Sequence, residues 1–458
     1  KHAAYTPAKQ TFMYLLFSLA LCAYFIALLP VVGYHALRHG KSVGRLRDRF
    51  GRLSPDVNPD RQASIWVHAV SVGEVLAARS LVHHLKEIYP GHRLVVSTTT
   101  VTGQQVAEQL GESVNATFYA PFDLNPFVTR TLDHVKPDLL VLVDTEIWPN
   151  LLRVCRRRGV KTVLINGRLS DSSYRGYLLV RPFMRRVMAT LDHVCVQTEV
   201  WGQKFIELGL PSERLTVTGS LKFDSVDVSA TGADLHVGDR VLRHFGFAAN
   251  RPVVMAASTR NGEEKLILAA FEWLRESFAD AILILAPRHP ERFEEARQLA
   301  IKHGFAVARR TELTVDEDPS VDVIVLNTIG ELTRLFQIAT VVFVGGSLVS
   351  AGGHNILEPA VFGKPVVFGP HMQNFAEIAA LFIARDAAWQ VRSASELGVA
   401  FKTLIGDPNR CAALGTRARA LVAENRGAGS RSLTVIADLL PPNSIQRDID
   451  VRELRSVP

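Results

Sequence analysis

Cysteine is scarce. Four occur in 458 residues (Cys22, Cys155, Cys195 and Cys411), far apart and never as CxxC. This excludes a disulfide framework and a cysteine-based zinc site, and it suits thiols kept reduced in a cytosol. The compact G-x-G-x-x-G of dinucleotide binding and the G-x-x-x-x-G-K-[ST] phosphate loop are both missing, which counts against hydride and phosphoryl transfer. The acidic runs Asp316-Glu317-Asp318 and Asp448-Ile449-Asp450 sit in polar stretches away from strand ends, so no metal site is indicated. There is no basic stripe interleaved with aromatics, so nucleic acid is not an expected partner. Short repeats and low-complexity tracts are lacking as well.

What is present is an ordinary folded composition, 47% hydrophobic and 21% charged, in a chain too long for one core. Two domains are the natural expectation. The net charge of +7 favours an anionic partner, such as anionic lipid or a phosphorylated substrate. Residues 12–32, FMYLLFSLALCAYFIALLPVV, carry no charge, and a spanning helix needs about 20 such residues. Arg38, Lys41, Arg45, Arg47, Arg49 and Arg52 follow, against Lys1 and Lys9 before the run. By the positive-inside rule, everything after this segment is cytoplasmic. The run is longer than the core of a usual signal peptide, and no small-x-small cleavage site follows it. Residues 1–37 are therefore expected to be an uncleaved membrane anchor. Pro30 leaves open whether it crosses the bilayer or lies in it.

Beyond the basic cluster, short β-branched runs alternate with helical patterns. The first set is 64–69, 93–99, 116–121, 139–145, 161–166, 193–198 and 215–220. These runs are apolar on both faces, as parallel strands covered by helices should be. A polar stretch near 226–250 breaks the rhythm, which restarts at 252–258, 281–287, 321–327, 340–346 and 365–370. The expectation is an α/β protein with two Rossmann-like domains, 38–228 and 251–442, a linker at 229–250 and a polar tail at 443–458.

In such sheets ligands sit at the carboxyl ends of the strands. In the second half those ends carry Ser258 to Glu264, Arg288-His289-Pro290, Thr328 to Glu331, and Gly352 through Pro359. Helix N-termini bind phosphate, Arg288 would meet its charge, and Glu358 could accept two ribose hydroxyls. Together they read as a nucleotide site, although Thr328–Glu331 and Asn355–Glu358 also fit capping boxes. In the first half, Ser71-Val72-Gly73-Glu74 opens a helical pattern directly after the first strand. On the residues alone, Glu74 is either a cap or a carboxylate placed for chemistry.

The stretches HAVSVGE (68–74), DTEIWPN (144–150), NGRLSDSSYRGY (166–177) and GSLKFD (219–224) then acquire a meaning together with those of the second half. The latter are STRNGEE (258–264), APRHPERF (286–293), GGHNILEPA (352–360) and GPHMQNFAEI (369–378). In this order, and over nearly the whole chain, the sequence resembles the 3-deoxy-D-manno-octulosonic acid (Kdo) transferases of lipopolysaccharide synthesis. The resemblance implies a GT-B glycosyltransferase, two Rossmann-like domains facing across a cleft. It would be inverting and metal-independent, without a cofactor, moving Kdo from CMP-Kdo to a lipid A precursor (lipid IVA) at the cytoplasmic face of the inner membrane. By the same resemblance Glu74 is the general base, and Glu146 and Lys222 stabilise the transition state. CMP would be held by Pro287, Arg288, Ile329, Gly330, Glu331, Asn355, Ile356, Leu357 and Glu358. The family often has Glu where Asp144 stands and His where Arg260 stands, so substrate contacts at those two positions are not carried over. A UDP-sugar enzyme of the same fold and a non-catalytic nucleotide-binding membrane protein are the alternatives.

Overall fold

The computed structural model describes residues 7–39, 45–226, 251–313 and 320–442. The expected linker at 229–250 and the tail at 443–458 lie outside them. The chain forms two units: the first runs to Ser225 and resumes at Arg426, and the second spans Val226–Asn425.

Each unit is built on a seven-stranded parallel sheet. The first contains β1 (Ser64–His68), β2 (Arg93–Thr98), β3 (Ala116–Tyr119), β4 (Pro137–Val143), β5 (Lys161–Gly167), β6 (His193–Val196) and β7 (Leu215–Val217). Its order is β3-β2-β1-β4-β5-β6-β7. The second contains β8 (Val253–Thr259), β9 (Ile282–Pro287), β10 (Val307–Arg309), β11 (Val323–Val325), β12 (Val341–Val344), β13 (Val366–Phe368) and β14 (Trp389–Gln390). Its order is β10-β11-β9-β8-β12-β13-β14. The long apolar runs became strands because both faces of each sheet are covered. In β1, Trp66 joins one core layer while Ile65 and Val67 join the other. The two strands absent from the sequence expectation, β10 and β14, are three and two residues long and pair on one side only. Such short edge strands carry no readable period.

Both sheets reverse their winding at one place, between β1 and β4 in the first and between β8 and β12 in the second. Strand ends at or next to these places take left-handed backbone. Asp144, Asn166 and Ser258, following or ending β4, β5 and β8, all take positive φ (64°, 56° and 57°). Left-handed backbone at non-glycine residues concentrates at functional sites.

The second domain was expected to run to residue 442. The helix Ala428–Leu439 instead belongs to the first unit: Ala428, Leu433 and Ile436 are buried in the layer that contains Val67 and Val141. The Asp224 carboxylate holds its start, accepting the N–H groups of Gly427 (2.8 Å) and Gly429 (2.6 Å).

Of the two forms the expected anchor could take, the crossing one is not supported. Residues Pro7–His39 do form one helix, with Pro30 inside it. Among the described residues, however, no helix is long and apolar enough to cross a membrane. One face of the helix packs on the first unit. Tyr14 is buried edge-on against Phe183 (5.2 Å between ring centres), Phe25 packs on Phe122 (4.7 Å), and Asn150 Nδ2 donates to Ser18 Oγ (3.1 Å). The opposite face leaves Phe12, Leu15, Leu16, Leu19 and Ile26 exposed.

Candidate active site

In the first unit, four strand ends converge on a group of carboxylates. After β1 the chain turns at Val70 and Ser71 into the helix Val72–Ile88, so Glu74 lies in its first turn. A reciprocal capping box does not form here, because Ser71 makes no side-chain cap to the helix backbone. Its hydroxyl donates to Glu74 Oε1 (2.8 Å), and the Val70 N–H donates to Glu74 Oε2 (2.7 Å). Burial pushes the Glu74 carboxyl up to about 7, assisted by the charges of Asp144 and Glu146 and opposed by these two hydrogen bonds. A carboxylate poised near neutrality suits proton transfer at physiological pH.

Glu146, two residues beyond Asp144 in the loop after β4, accepts the Trp148 indole N–H (2.6 Å). Burial raises its carboxyl, and Asp144 adds to the rise. His68, the last residue of β1, is fully buried, bonded through Nδ1 to Ser97 Oγ (2.8 Å) and edge-on to Trp148. Its Nε2 has no hydrogen-bond partner and lies 4.0 Å from Glu146 Oε2. Burial holds His68 down at about 4, so it stays neutral.

Asn166, at the end of β5, ties this group together. Its Nδ2 donates to Asp144 Oδ1, and its Oδ1 accepts the Leu221 N–H (3.0 Å). Leu221 opens the turn after β7 that carries the half-buried Lys222. Arg168 pairs with the other oxygen of Asp144 (3.1 Å). Asp144 is therefore committed to Asn166 and Arg168, which accounts for the shape of the loop that presents Glu146.

In the second unit, the ends of β8, β9 and β12 gather positive charge. Arg260 Nε donates to His354 Nε2 (3.2 Å), and its Nη1 contacts His289 Nε2. His354 is held down to about 4, first by burial and then by the charges of Arg260, Arg288 and His289. Burial raises Glu358, while Asn355 (Nδ2 to Oε1, 3.1 Å) and the Arg288 charge pull it down. Asn355 Oδ1 also accepts the Leu357 N–H (3.1 Å), at the start of the short helix Leu357–Val361, where Ile356 is buried. Pro287 ends β9, and the Arg288 N–H donates to Thr259 O (3.0 Å), joining the β8 and β9 ends. Ile329, Gly330 and Glu331 form a separate turn. Ile329 is exposed, and Glu331 is engaged by Thr328 Oγ1 (2.6 Å) and Arg310 (3.2 Å).

One buried group was not expected to matter. Glu263, in the first turn of Glu263–Arg275, accepts N–H groups from Arg260 (2.9 Å), Gly346 (2.6 Å), Ser347 (2.9 Å) and Leu348 (2.9 Å). It thereby locks the β12 loop beside the β8 end. A Cβ on Gly345 would meet Ser258 O at 2.6 Å, so the two segments touch backbone to backbone. His68, Asn166, Glu263 and His354 all lie within the motifs quoted above, yet no local pattern assigned them a task. Among the described residues, no group of three or more His, Cys, Asp or Glu side chains is arranged to hold a metal ion.

Residues 44–225 match the family described as 3-deoxy-D-manno-octulosonic-acid transferase (kdotransferase). The chain is 33% identical over 423 residues to the 3-deoxy-D-manno-octulosonic acid transferase of Haemophilus influenzae, covering 91% of this chain and 96% of that one. It is 36% identical over 400 residues to the Bordetella pertussis enzyme of the same name, covering 86% and 91%. Among solved structures it resembles the UDP-GlcNAc 2-epimerase of Neisseria meningitidis bound to UDP-GlcNAc, at TM-score 0.53 and 13% identity over 79% of this chain and 99% of that one. That last likeness concerns the fold alone, a GT-B-like pair of parallel sheets. Kinship at a third of all positions over nine-tenths of the length is a statement about descent, and the chain belongs to the 3-deoxy-D-manno-octulosonic acid transferase family of glycosyltransferases.

Proposed function

We propose that this protein moves Kdo from CMP-Kdo to a phosphorylated lipid A precursor by a single, inverting displacement that needs no metal. The observation that carries the reading is Glu74, a half-buried carboxyl raised to about 7 at the carboxyl end of β1, where the sheet reverses. Glu74 takes the proton of the acceptor hydroxyl as that oxygen bonds to the anomeric carbon of Kdo. The bond from that carbon to the CMP phosphate breaks, and CMP leaves with the electron pair. One displacement inverts the anomeric centre. Glu146 and Lys222 are assigned to the charge that develops in the transition state. The Arg260, Arg288, His289 and His354 group supports binding of the departing phosphate, since fixed donors and cations stabilise developing negative charge. Glu358 and Asn355 are assigned to the ribose. The exposed apolar stripe of the N-terminal helix supports a seat on the cytoplasmic face of the inner membrane, lying on it rather than crossing it.

Incubation with CMP-Kdo and the lipid A precursor, with products counted by mass, tests the reaction. Absence of any Kdo adduct together with release of no CMP would overturn it. In the donor site, Arg288→Ala is expected to weaken CMP about tenfold or more while barely changing cytidine, because a charge-assisted contact to phosphate is lost. Glu358→Ala should weaken both ligands, as expected of a ribose contact. Equal effects of Arg288→Ala on CMP and cytidine, read by calorimetry, would remove Arg288 from the phosphate. EDTA is expected to leave the transfer rate unchanged. Strong inhibition reversed by magnesium would refute metal independence.

A further inference from the structure

The N-terminal helix and the first unit form an apolar cleft of about 540 Å³, open to the outside and lined by Leu16 and Ala20 of the helix, Ile147, and Tyr177, Val180 and Phe183. This is the size of a ligand pocket rather than a packing defect. Its position connects it to the chemistry. Ile147 directly follows Glu146, and Tyr177, whose hydroxyl is raised chiefly by burial, also senses the Glu146 charge. The wall of the cavity is therefore the back of the loop that presents Glu146. Cations stand beside it. Arg186 reaches Sδ of Met13, which lines the cavity (2.6 Å), and the Arg153 guanidinium lies over the ring of the next residue, Tyr14 (4.4 Å). Leu15 and Leu19, both more than half exposed, continue the apolar surface outward along the same helix. An apolar chamber with basic neighbours, one residue from a candidate catalytic carboxylate, matches an amphiphile with an anionic head and a hydrocarbon tail.

We propose that this cavity takes one acyl chain of the phosphorylated lipid acceptor, so that the N-terminal helix is part of the acceptor site. The inference rests on the function proposed above and adds the subsite. A chain seated here would hold the sugar head of the acceptor near Glu146 and, through the β1 end, near Glu74. Each methylene buried contributes about fourfold to affinity, so a tail of several carbons decides how well the acceptor binds.

The test fills the chamber. Ala20→Trp places an indole in it from an exposed position on the helix. Val180→Trp does the same from the opposite wall, where Val180 is 48% exposed, and guards against one variant failing to fold. Transfer is measured with the acylated precursor and with its fully deacylated counterpart. The expected result is a KM at least about tenfold higher for the acylated acceptor, with the deacylated acceptor and CMP-Kdo unaffected. In parallel, dansyl-labelled undecanoic acid should brighten on the unmodified protein, be displaced by the acylated precursor, and fail to bind either variant. Equal losses on both acceptors, or unchanged probe binding in both folded variants, would overturn the subsite. So would displacement of the probe by phosphatidylglycerol vesicles but not by the precursor, since the cavity would then hold membrane lipid. If the unmodified protein transfers Kdo to neither acceptor, the assigned reaction falls, and probe binding and its competition still decide the cavity.

Discussion

Glu74→Gln is expected to lower Kdo transfer by about 10²-fold or more while CMP binding and the melting temperature stay close to those of the unmodified protein. The amide keeps an oxygen for the Val70 N–H, and the Ser71 hydroxyl can turn to accept from the amide, so both local contacts survive the change. What is lost is the capacity to take a proton. A purely structural Glu74 would instead leave the rate nearly intact, and a Glu74→Gln protein that kept half of it would end the assignment. The pH profile gives a second readout. With its carboxyl raised to about 7, Glu74 is protonated in mildly acidic solution. Transfer should therefore be slow there, climb through neutrality and level off above it. Ser71 donates to the carboxylate and lowers its pKa, so Ser71→Ala should move the midpoint of that climb to higher pH. The same shift has a stability consequence of opposite sense. A carboxyl that binds its proton more tightly when folded favours the native state in acid, and this contribution fades as pH rises from the ordinary glutamate range through about 7. Glu74→Gln should flatten that part of the stability curve, which urea titrations at several pH values would detect.

The largest effect on stability is expected from Glu263→Ala. Its carboxylate is fully buried and accepts four backbone N–H groups, three of them from consecutive residues of the β12 loop. A buried donor left without a partner costs about 1–3 kcal/mol, so removing their common acceptor should cost about 3 kcal/mol or more. The β12 loop should then detach from the β8 end, and CMP affinity should fall with stability. Urea denaturation monitored alongside CMP calorimetry checks this. A variant as stable as the unmodified protein would show that water replaces the carboxylate without loss. Glu264, beside it, is paired with Arg292 (3.1 Å) and Thr259 Oγ1 (3.0 Å). Glu264→Ala should destabilise less, because Arg292 also has Glu295 to pair with.

Most strands were legible in the sequence because a parallel strand covered on both faces is apolar at every position, and no helix start imitates that for long. The α/β class and the presence of two such halves followed from this alone. The positions of Glu74 and Arg288 at strand ends were legible for the same reason. What was not legible depends on contacts distant in the chain. Glu263 in a first helical turn has the same local pattern as an exposed acidic N-terminus, and only the arrival of Gly346 to Leu348 makes it a structural hub. His68 reads as one more strand residue until Trp148 and Glu146 are brought beside it. The apolar run 12–32 shows a related ambiguity. Composition reports that it avoids water, but not whether protein or lipid shields it, and in the structure Phe183 and Phe122 cover one face. The helix Ala428–Leu439 is amphipathic in any case, and its local pattern does not say which sheet it covers.

The return of that last helix to the first unit has a bearing on how the protein is made. Residues Val226–Asn425 are contiguous, so the second unit holds its whole sheet once residue 425 has left the ribosome. The first unit begins earlier and finishes later. Until Ala428–Leu439 emerges, the layer containing Val67, Val141 and Cys195 lacks part of its cover. Asp224, already synthesised, waits for the N–H groups of Gly427 and Gly429. The order of synthesis and the order of completion are thus reversed between the two halves. During translation, the unit carrying Glu74 is the one whose apolar layer stays incompletely covered longest, the kind of exposed surface that favours contact with other chains.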